Sequence, residues 1–184
     1  MALRNDVSQV ADSYPYVTGM GFRKRCHMVC DEFGFDPPTH ITEDDQFVFV
    51  KTDYTKAFET HVLPSINFTV NLITHNSAIG IGEEHVSLLN NPKVKHWYAQ
   101  NANIPHPKLS SIPLGLANYR WTHGDYTIVD KVNEEVNEKS CLLYMNFDTS
   151  TNEAKRKPIQ EKFVNKEYVK CSRAKSFNEY LVDL

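Results

Sequence analysis

One run of apolar residues, Gln46-Phe-Val-Phe-Val-Lys51, decides how the rest of the chain is interpreted. Consecutive aromatic and β-branched side chains, with nothing polar between them, are typical of a strand buried on both faces. Similar runs follow at Asn67 to Thr74, Lys95 to Gln100 and Ser110 to Leu114. Because helical patterns alternate with these runs, we predict an α/β fold with a Rossmann-like, mostly parallel sheet and flanking helices.

The first helix is expected directly after Lys51. Thr52 or Asp53 can cap it, and its apolar face has helical spacing at Tyr54, Phe58, Val62 and Ile66. A second, short helix is predicted from Glu83 to Asn90, before Pro92.

Three regions are predicted along the chain. Residues 1–45 are rich in Gly and Pro and are expected to form an irregular N-terminal arm, with a short helix near Cys26 to Phe33. Residues 46–138 form the Rossmann-like domain, and residues 139–184 begin a second α/β unit. Capping boxes at Ser150 to Glu153 and Ser176 to Glu179 predict two helices in that unit. Two strands and two helices bury little surface, so we favour a truncated second domain.

Composition excludes several classes of protein. The 184 residues carry a net charge of −3, without the basic excess typical of nucleic-acid binding. The longest apolar runs are too short to span a membrane, and no secretory leader is visible, so we expect a cytoplasmic protein. Four scattered cysteines are expected to be free thiols rather than disulfides or a zinc site.

Polar residues follow four consecutive predicted strands, where ligands bind in open parallel sheets. His75 is the best single candidate for acid/base chemistry, although, taken alone, a histidine that hydrogen-bonds a loop carbonyl is the favoured interpretation. Asp53 is a candidate base or a helix cap. The remaining candidates suit sugar hydroxyls through amides, backbone groups or aromatic rings: Thr74, Asn76, Gln100, Asn101, Gly115, Asn118, Trp121 and His123.

Gly80-Ile-Gly82 lies between a strand and a helix, as in a dinucleotide fingerprint. His85 stands where a third glycine would be needed, which weakens this interpretation. A small nucleotide-binding enzyme of another class is the hypothesis that it leaves open.

An ordered series of motifs then resembles exostosin-like glycosyltransferases of the bacterial and large-DNA-virus form. The resemblance covers residues 46–184 and rests on Lys51-Thr-Asp-Tyr54, Leu72-Ile-Thr-His-Asn-Ser77, Trp97-Tyr-Ala-Gln-Asn101, Lys108-Leu-Ser-Ser-Ile-Pro-Leu-Gly-Leu-Ala-Asn118 and Leu143-Tyr-Met-Asn-Phe147.

The resemblance implies a GT-B arrangement, in which the first domain holds a glycan acceptor and the second a nucleotide-sugar donor. It implies transfer without an obligatory metal, and we expect no cofactor. For that reaction we expect His75 or Asp53 to be the base. Asn146 and Arg156 would lie near the donor, although a solvent-facing helix arginine explains Arg156 as well.

Two departures from the family pattern leave a second hypothesis open. Ala78 stands where relatives carry an acidic residue, and the glycine- and arginine-bearing donor segment lies beyond Leu184. The protein is therefore expected to be the N-terminal portion of a glycosyltransferase, with a missing C-terminal domain as its partner in cis. The alternative is a non-catalytic carbohydrate- or protein-binding module that lacks the donor half.

Overall fold

The structure is a computed structural model that describes residues 13–36, 44–135, 141–172 and 176–183. The chain divides into two compact units, Met1–Gly124 and Asp125–Leu184, here called the first and second units. The domain boundary expected from the sequence, after residue 138, falls outside the described residues. No helix in the described ranges combines the length and apolar character needed to cross a membrane.

The described part of the first unit contains a six-stranded sheet in the order β2-β1-β3-β4-β5-β6. Strand β2 pairs antiparallel with β1, and all other neighbours are parallel. The α/β, Rossmann-like prediction is confirmed. The strands are β1 (Met28–Asp31), β2 (Gly34–Asp36), β3 (Gln46–Lys51), β4 (Val70–His75), β5 (Val94–Ala99) and β6 (Leu109–Ser111).

Strand β3 lies inside the sheet, as its apolar run predicts. Val48, Phe49 and Val50 are all completely buried, so both faces of the strand are covered. The register pairs Lys51 of β3 with His75 of β4, and Ala99 of β5 with Ser111 of β6. The carboxyl ends of these strands therefore lie side by side at one edge of the sheet.

The N-terminal arm is a correction to the sequence analysis. Its described part, residues 13–36, is not irregular: helix α1 (Gly19–Arg25) leads into β1 and β2, and both strands join the sheet. The helix predicted from Cys26 to Phe33 is wrong, because those residues form β1 and its turn instead. Residues 1–12 and 37–43 lie outside the described part.

The helix predicted after β3 is present as a continuous helical segment over residues 52–65. It contains α2 (Thr55–Ala57), followed by the wider π-helical turn Phe58–Val62. Phe58, Val62 and Ile66 are buried as predicted. The capping prediction is wrong, because the segment begins after Lys51 without any side-chain cap.

Helix α3 (Val86–Leu89) follows a short 3-10 turn, within the range predicted for the second helix. All four cysteines have free thiols.

The second unit contains helices α4 (Tyr126–Glu135), α5 (Glu153–Phe163) and α6 (Phe177–Asp183). Its strands β7 (Leu143–Met145) and β8 (Val169–Cys171) form a parallel pair. The capping box before α6 is confirmed, since Ser176 and Glu179 bond reciprocally. The box predicted at Ser150 is wrong, because Asp148 accepts the Ser150 backbone N–H and caps the helical turn before α5.

Lys93 closes the carboxyl end of the 52–65 helical segment. Its Nζ donates to the carbonyl oxygens of Leu63, Pro64 and Ile66, at 2.9, 3.3 and 2.6 Å. These carbonyls have no helical partner, so the ammonium satisfies them and complements the negative end of the helix.

Replacing Lys93 with Met should destabilise the first unit by about 1–3 kcal/mol, because half-buried carbonyls lose their donor while the aliphatic stem remains. Urea denaturation measures this loss. Lys95→Met is the matched control, since Lys95 pairs with Asp45 on the exposed surface and should matter less. Equal effects of the two substitutions would contradict the capping role.

Candidate functional site

A cleft of about 500 Å³ opens in the first unit at the carboxyl ends of β4 and β5. It combines a residue of α1, the two strand ends and the loop that follows β6. This arrangement matches the general position of ligands in open α/β sheets. The lining residues are Gly19, His75, Asn76, Ser77, Ala78, Gln100, Leu114, Gly115, Leu116, Ala117, Asn118, Arg120, Trp121 and His123.

Asn76 lies at the floor of this cleft, the inner side formed by the strand ends, and it joins His75 and Gln100. It has a φ of 62°, in the left-handed region that asparagine tolerates better than most residues. Its backbone N–H donates to His75 Nδ1 at 2.9 Å and to Gln100 Oε1 at 3.1 Å. Gln100 Nε2 in turn donates to the Ser77 carbonyl at 3.0 Å. The ends of β4 and β5 are thereby fixed to each other by side-chain amides.

Asn118 extends this network to the N-terminal helix. Its Nδ2 donates to Asn76 Oδ1 at 3.0 Å, and its Oδ1 accepts the backbone N–H of Met20 at 2.8 Å. The first turn of α1 is thus held by Asn118 and by Thr18, whose hydroxyl accepts the Gly21 N–H. The loop after β6 and helix α1 are coupled through one side chain.

Two glycines allow the backbone segments of the cleft to approach each other. A Cβ at Gly19 would lie within 3.0 Å of Asn76 Oδ1 and His75 Nδ1. Gly115 has a φ of 69°, and a Cβ there would meet the Val17 carbonyl. Both positions require glycine, because any larger residue would push the α1 region away from the floor.

Both ring nitrogens of His75 are already bonded. Nδ1 accepts the Asn76 N–H, so Nε2 carries the proton and donates to the Pro113 carbonyl at 3.2 Å. The residue is only 2% exposed. Burial lowers the pKa of His75 below its ordinary value, against the opposing contacts from Pro113 and Asn76. The geometry therefore fits a structural tie better than a free base.

The rim of the cleft has a different character. Trp121 is 52% exposed, and the His123 ring stacks on it at 6.1 Å with an interplanar angle of 21°. The Arg120 guanidinium lies 5.6 Å from the centre of the same indole. The backbone N–H groups of Trp121 and Gly124 donate to the carbonyls of Asn118 and Trp121, which fixes this turn to the floor.

Three candidates from the sequence do not line the cleft. Thr74 is completely buried, and its hydroxyl accepts the Trp97 Nε1–H at 2.9 Å. Asp53 is exposed on the first turn after β3. Asn101 is exposed with a φ of 57°, and its carbonyl accepts the Ile81 N–H. The other candidates of the first unit come together as predicted: His75, Asn76, Gln100, Gly115, Asn118, Trp121 and His123.

Gly80 and Gly82 are used within their own loop. A Cβ at Gly80 would collide with the Asn101 carbonyl and the Asn103 side chain. The Gly82 N–H donates to His85 Nδ1 at 3.2 Å, which closes the following 3-10 turn. Close packing and turn formation thus account for both glycines.

The two donor-side candidates lie in the second unit. Asn146 directly follows β7 and is exposed, and its Nδ2 donates to the Tyr144 hydroxyl at 3.2 Å. Arg156 folds back on its own helix start, where Nη1 donates to the Asp148 carbonyl at 2.8 Å and to the Thr151 hydroxyl. Arg156 also lies over the Phe147 ring.

Sequence reasoning missed Gly19, Leu114 and Arg120 as parts of the cleft. Gly19 belongs to a segment that was expected to be irregular, so nothing linked it to the strand ends. Arg120 stands immediately before Trp121, and that adjacency to an exposed aromatic residue was the available signal.

Gly19→Ala should destabilise the first unit by about 1–3 kcal/mol, although alanine normally favours a helix. The reason is overpacking against Asn76 and His75. Thermal or urea denaturation measures it. Gly21→Ala in the same helix is the control, because its nearest contact, Thr18 Oγ1 at 3.1 Å, needs only a small adjustment. A neutral or stabilising effect of Gly19→Ala would contradict the close packing.

The lowered pKa of His75 predicts a pH-dependent loss of stability. Unfolded histidine has a pKa of about 6.5, so just below that pH the unfolded chain binds more protons than the folded one. The free energy of unfolding should therefore fall between pH 7.5 and 5.5, and less steeply in His75→Gln. Urea denaturation at both pH values tests this against His61→Gln, an exposed histidine. Identical pH dependence in all three proteins would refute it.

Comparison with known proteins gives no information on the function of the cleft. No protein-family model matches the chain, and no curated protein matches it. The exostosin-like resemblance accordingly stays a prediction that rests on the quoted motifs, and the chemistry of the site is argued from its own residues.

Proposed function

We propose that the first unit binds a carbohydrate in this cleft, as the acceptor side of an exostosin-like glycosyltransferase. One observation carries the proposal: a half-exposed Trp121 flanks a row of amide side chains at the carboxyl ends of the parallel strands. Sugar rings present apolar C–H faces and hydroxyl edges, which suit an aromatic face and amide groups respectively.

The amide network retains hydrogen-bonding capacity after it has built the floor. Each side-chain amide nitrogen carries two hydrogens, and Asn118 Nδ2 uses one of them on Asn76. Within the part of the chain that the structure describes, Asn76 Nδ2 has only the weak acceptor Met20 Sδ, at 3.8 Å. The floor can therefore offer neutral donors to hydroxyls without losing the bonds that shape it.

The donor in this proposal is a nucleotide sugar, which the second unit would hold. Asn146 follows the carboxyl end of β7, the side of a parallel pair where phosphates commonly bind. Arg156 supplies the positive charge there, once its guanidinium exchanges the Asp148 carbonyl for a phosphate oxygen. The transfer needs no obligatory metal.

A carbohydrate-binding module without catalysis is the second candidate function. The bonding of His75 favours it, because a histidine with both nitrogens engaged and 2% exposure is a poor proton acceptor. The exposed Asp53 also does not line the cleft. Binding and turnover must therefore be measured separately.

Trp121→Ala should weaken carbohydrate binding by about fivefold or more, since an aromatic stacking face is worth about 1 kcal/mol or more. Titration with a panel of neutral and charged oligosaccharides measures the affinity. Acrylamide quenching supplies a second readout, because Trp121 is exposed while Trp97 is completely buried. Bound sugar should protect Trp121 from the quencher.

Phe33→Ala is the matched control, since Phe33 is an exposed aromatic residue on the turn between β1 and β2 and does not line the cleft. Failure of every oligosaccharide to bind or protect Trp121 would refute carbohydrate binding. Absence of hydrolysis and transfer across a broad panel of nucleotide sugars would refute the transferase and leave the binding module.

A further inference from the structure

The cleft contains few groups that can accept a proton. Its titratable side chains are His75, Arg120 and His123, and no Asp or Glu lines it among the described residues. Arginine stays protonated at any physiological pH, so only a histidine can serve. Among the described residues that line the cleft, His75 and His123 are therefore the two candidate proton acceptors for a transfer reaction.

The surroundings of His75 oppose its use as a proton acceptor. Its unprotonated nitrogen, Nδ1, faces the Asn76 backbone N–H at 2.9 Å. A proton on Nδ1 would break that bond, and although Asn76 Oδ1 lies 3.3 Å away and could accept it, it would charge a ring that is almost completely buried. Each catalytic cycle would disrupt the junction that shapes the floor.

His123 has the opposite surroundings. Its side chain is exposed at the rim, and its ring nitrogens have no hydrogen-bond partner among the described residues. The imidazole stacks beside Trp121, with ring centres 6.1 Å apart and an interplanar angle of 21°, so it lies next to the proposed sugar platform. The turn that carries both rings is tied to Asn118 by the Trp121 N–H at 2.9 Å.

We propose that His123, and not His75 or Asp53, is the proton acceptor of the reaction. This inference rests on the proposed glycosyl transfer. The acceptor hydroxyl gives its proton to the unprotonated ring nitrogen of His123, while its oxygen forms a bond to the anomeric carbon of the nucleotide sugar. The bond from that carbon to the diphosphate oxygen breaks, and the nucleoside diphosphate leaves with the electron pair. His123 then returns the proton to water.

The experiment compares the His123→Gln variant with the wild-type protein. Steady-state transfer assays detect the nucleoside diphosphate that each protein releases. The expected result is a fall of about 10²- to 10⁴-fold in kcat, with the acceptor KM changed less than about threefold. His61→Gln, an exposed histidine outside the cleft, is the control. His123→Ala should regain activity when imidazole is added, which a merely structural role would not produce.

The outcomes separate this inference from the proposed function. If the wild-type protein transfers sugar and the His123 variants keep its kcat, His123 is not the base while the transferase stands. If the variants raise KM alone, His123 is a binding residue and the inference is also wrong. If the wild-type protein binds oligosaccharides but transfers nothing, the transferase itself fails, and with it the role of His123.

Discussion

The first unit depends on one set of hydrogen bonds. They are made by the side chains of Asn76 and Asn118 and by the backbone N–H of Asn76. They join the ends of β4 and β5, the loop after β6 and the start of α1, which are far apart in the sequence. The left-handed backbone of Asn76 directs its N–H to two acceptors at once. Together with the bond from His75 Nε2 to the Pro113 carbonyl, this junction holds the cleft loop against the strand ends.

This junction explains why polar strand ends are an ambiguous sign of function. Gln100 and His75 look like ligand-binding residues, yet their hydrogen bonds are made to the backbone of Asn76, Ser77 and Pro113. Buried polar groups must be satisfied, and here the satisfied network is also what positions the rim. The chemistry that remains available lies one layer further out, at Trp121 and His123.

The sequence predicts those parts of the fold in which local pattern and burial agree. Strand β3 was predicted at its observed bounds, because an apolar run of that kind fits only a strand covered on both faces. The face of the 52–65 segment was also predicted, from helical spacing. Strands β1 and β2 were missed because they have only 4 and 3 residues, which is too short for an apolar pattern to show; β1 is held by its pairing with β3, and β2 by its pairing with β1.

Capping illustrates the same limit on a smaller scale. Ser176 and Glu179 form the predicted capping box. The capping box predicted at Ser150 does not form, because Asp148 accepts the Ser150 N–H instead. Both choices are chemically reasonable, and only the path of the chain decides between them. Likewise, the sequence grouped the cleft residues around His75 and Asn118, but it could not place α1, whose role depends on a bond that spans 98 residues.

The two tryptophans show how packing of the core determines which polar side chains are still available to a ligand. Trp97 lies inside β5, where a buried indole N–H must find an acceptor, and it takes the Thr74 hydroxyl. Thr74 is thereby removed from the site although it stands near a strand end. Trp121 lies in the loop after β6 and belongs to no strand, so its ring can stay exposed beside His123. Loops carried on a rigid sheet have this freedom, and for that reason the exposed aromatic and charged side chains of this cleft belong to the segment after β6 rather than to the strands themselves.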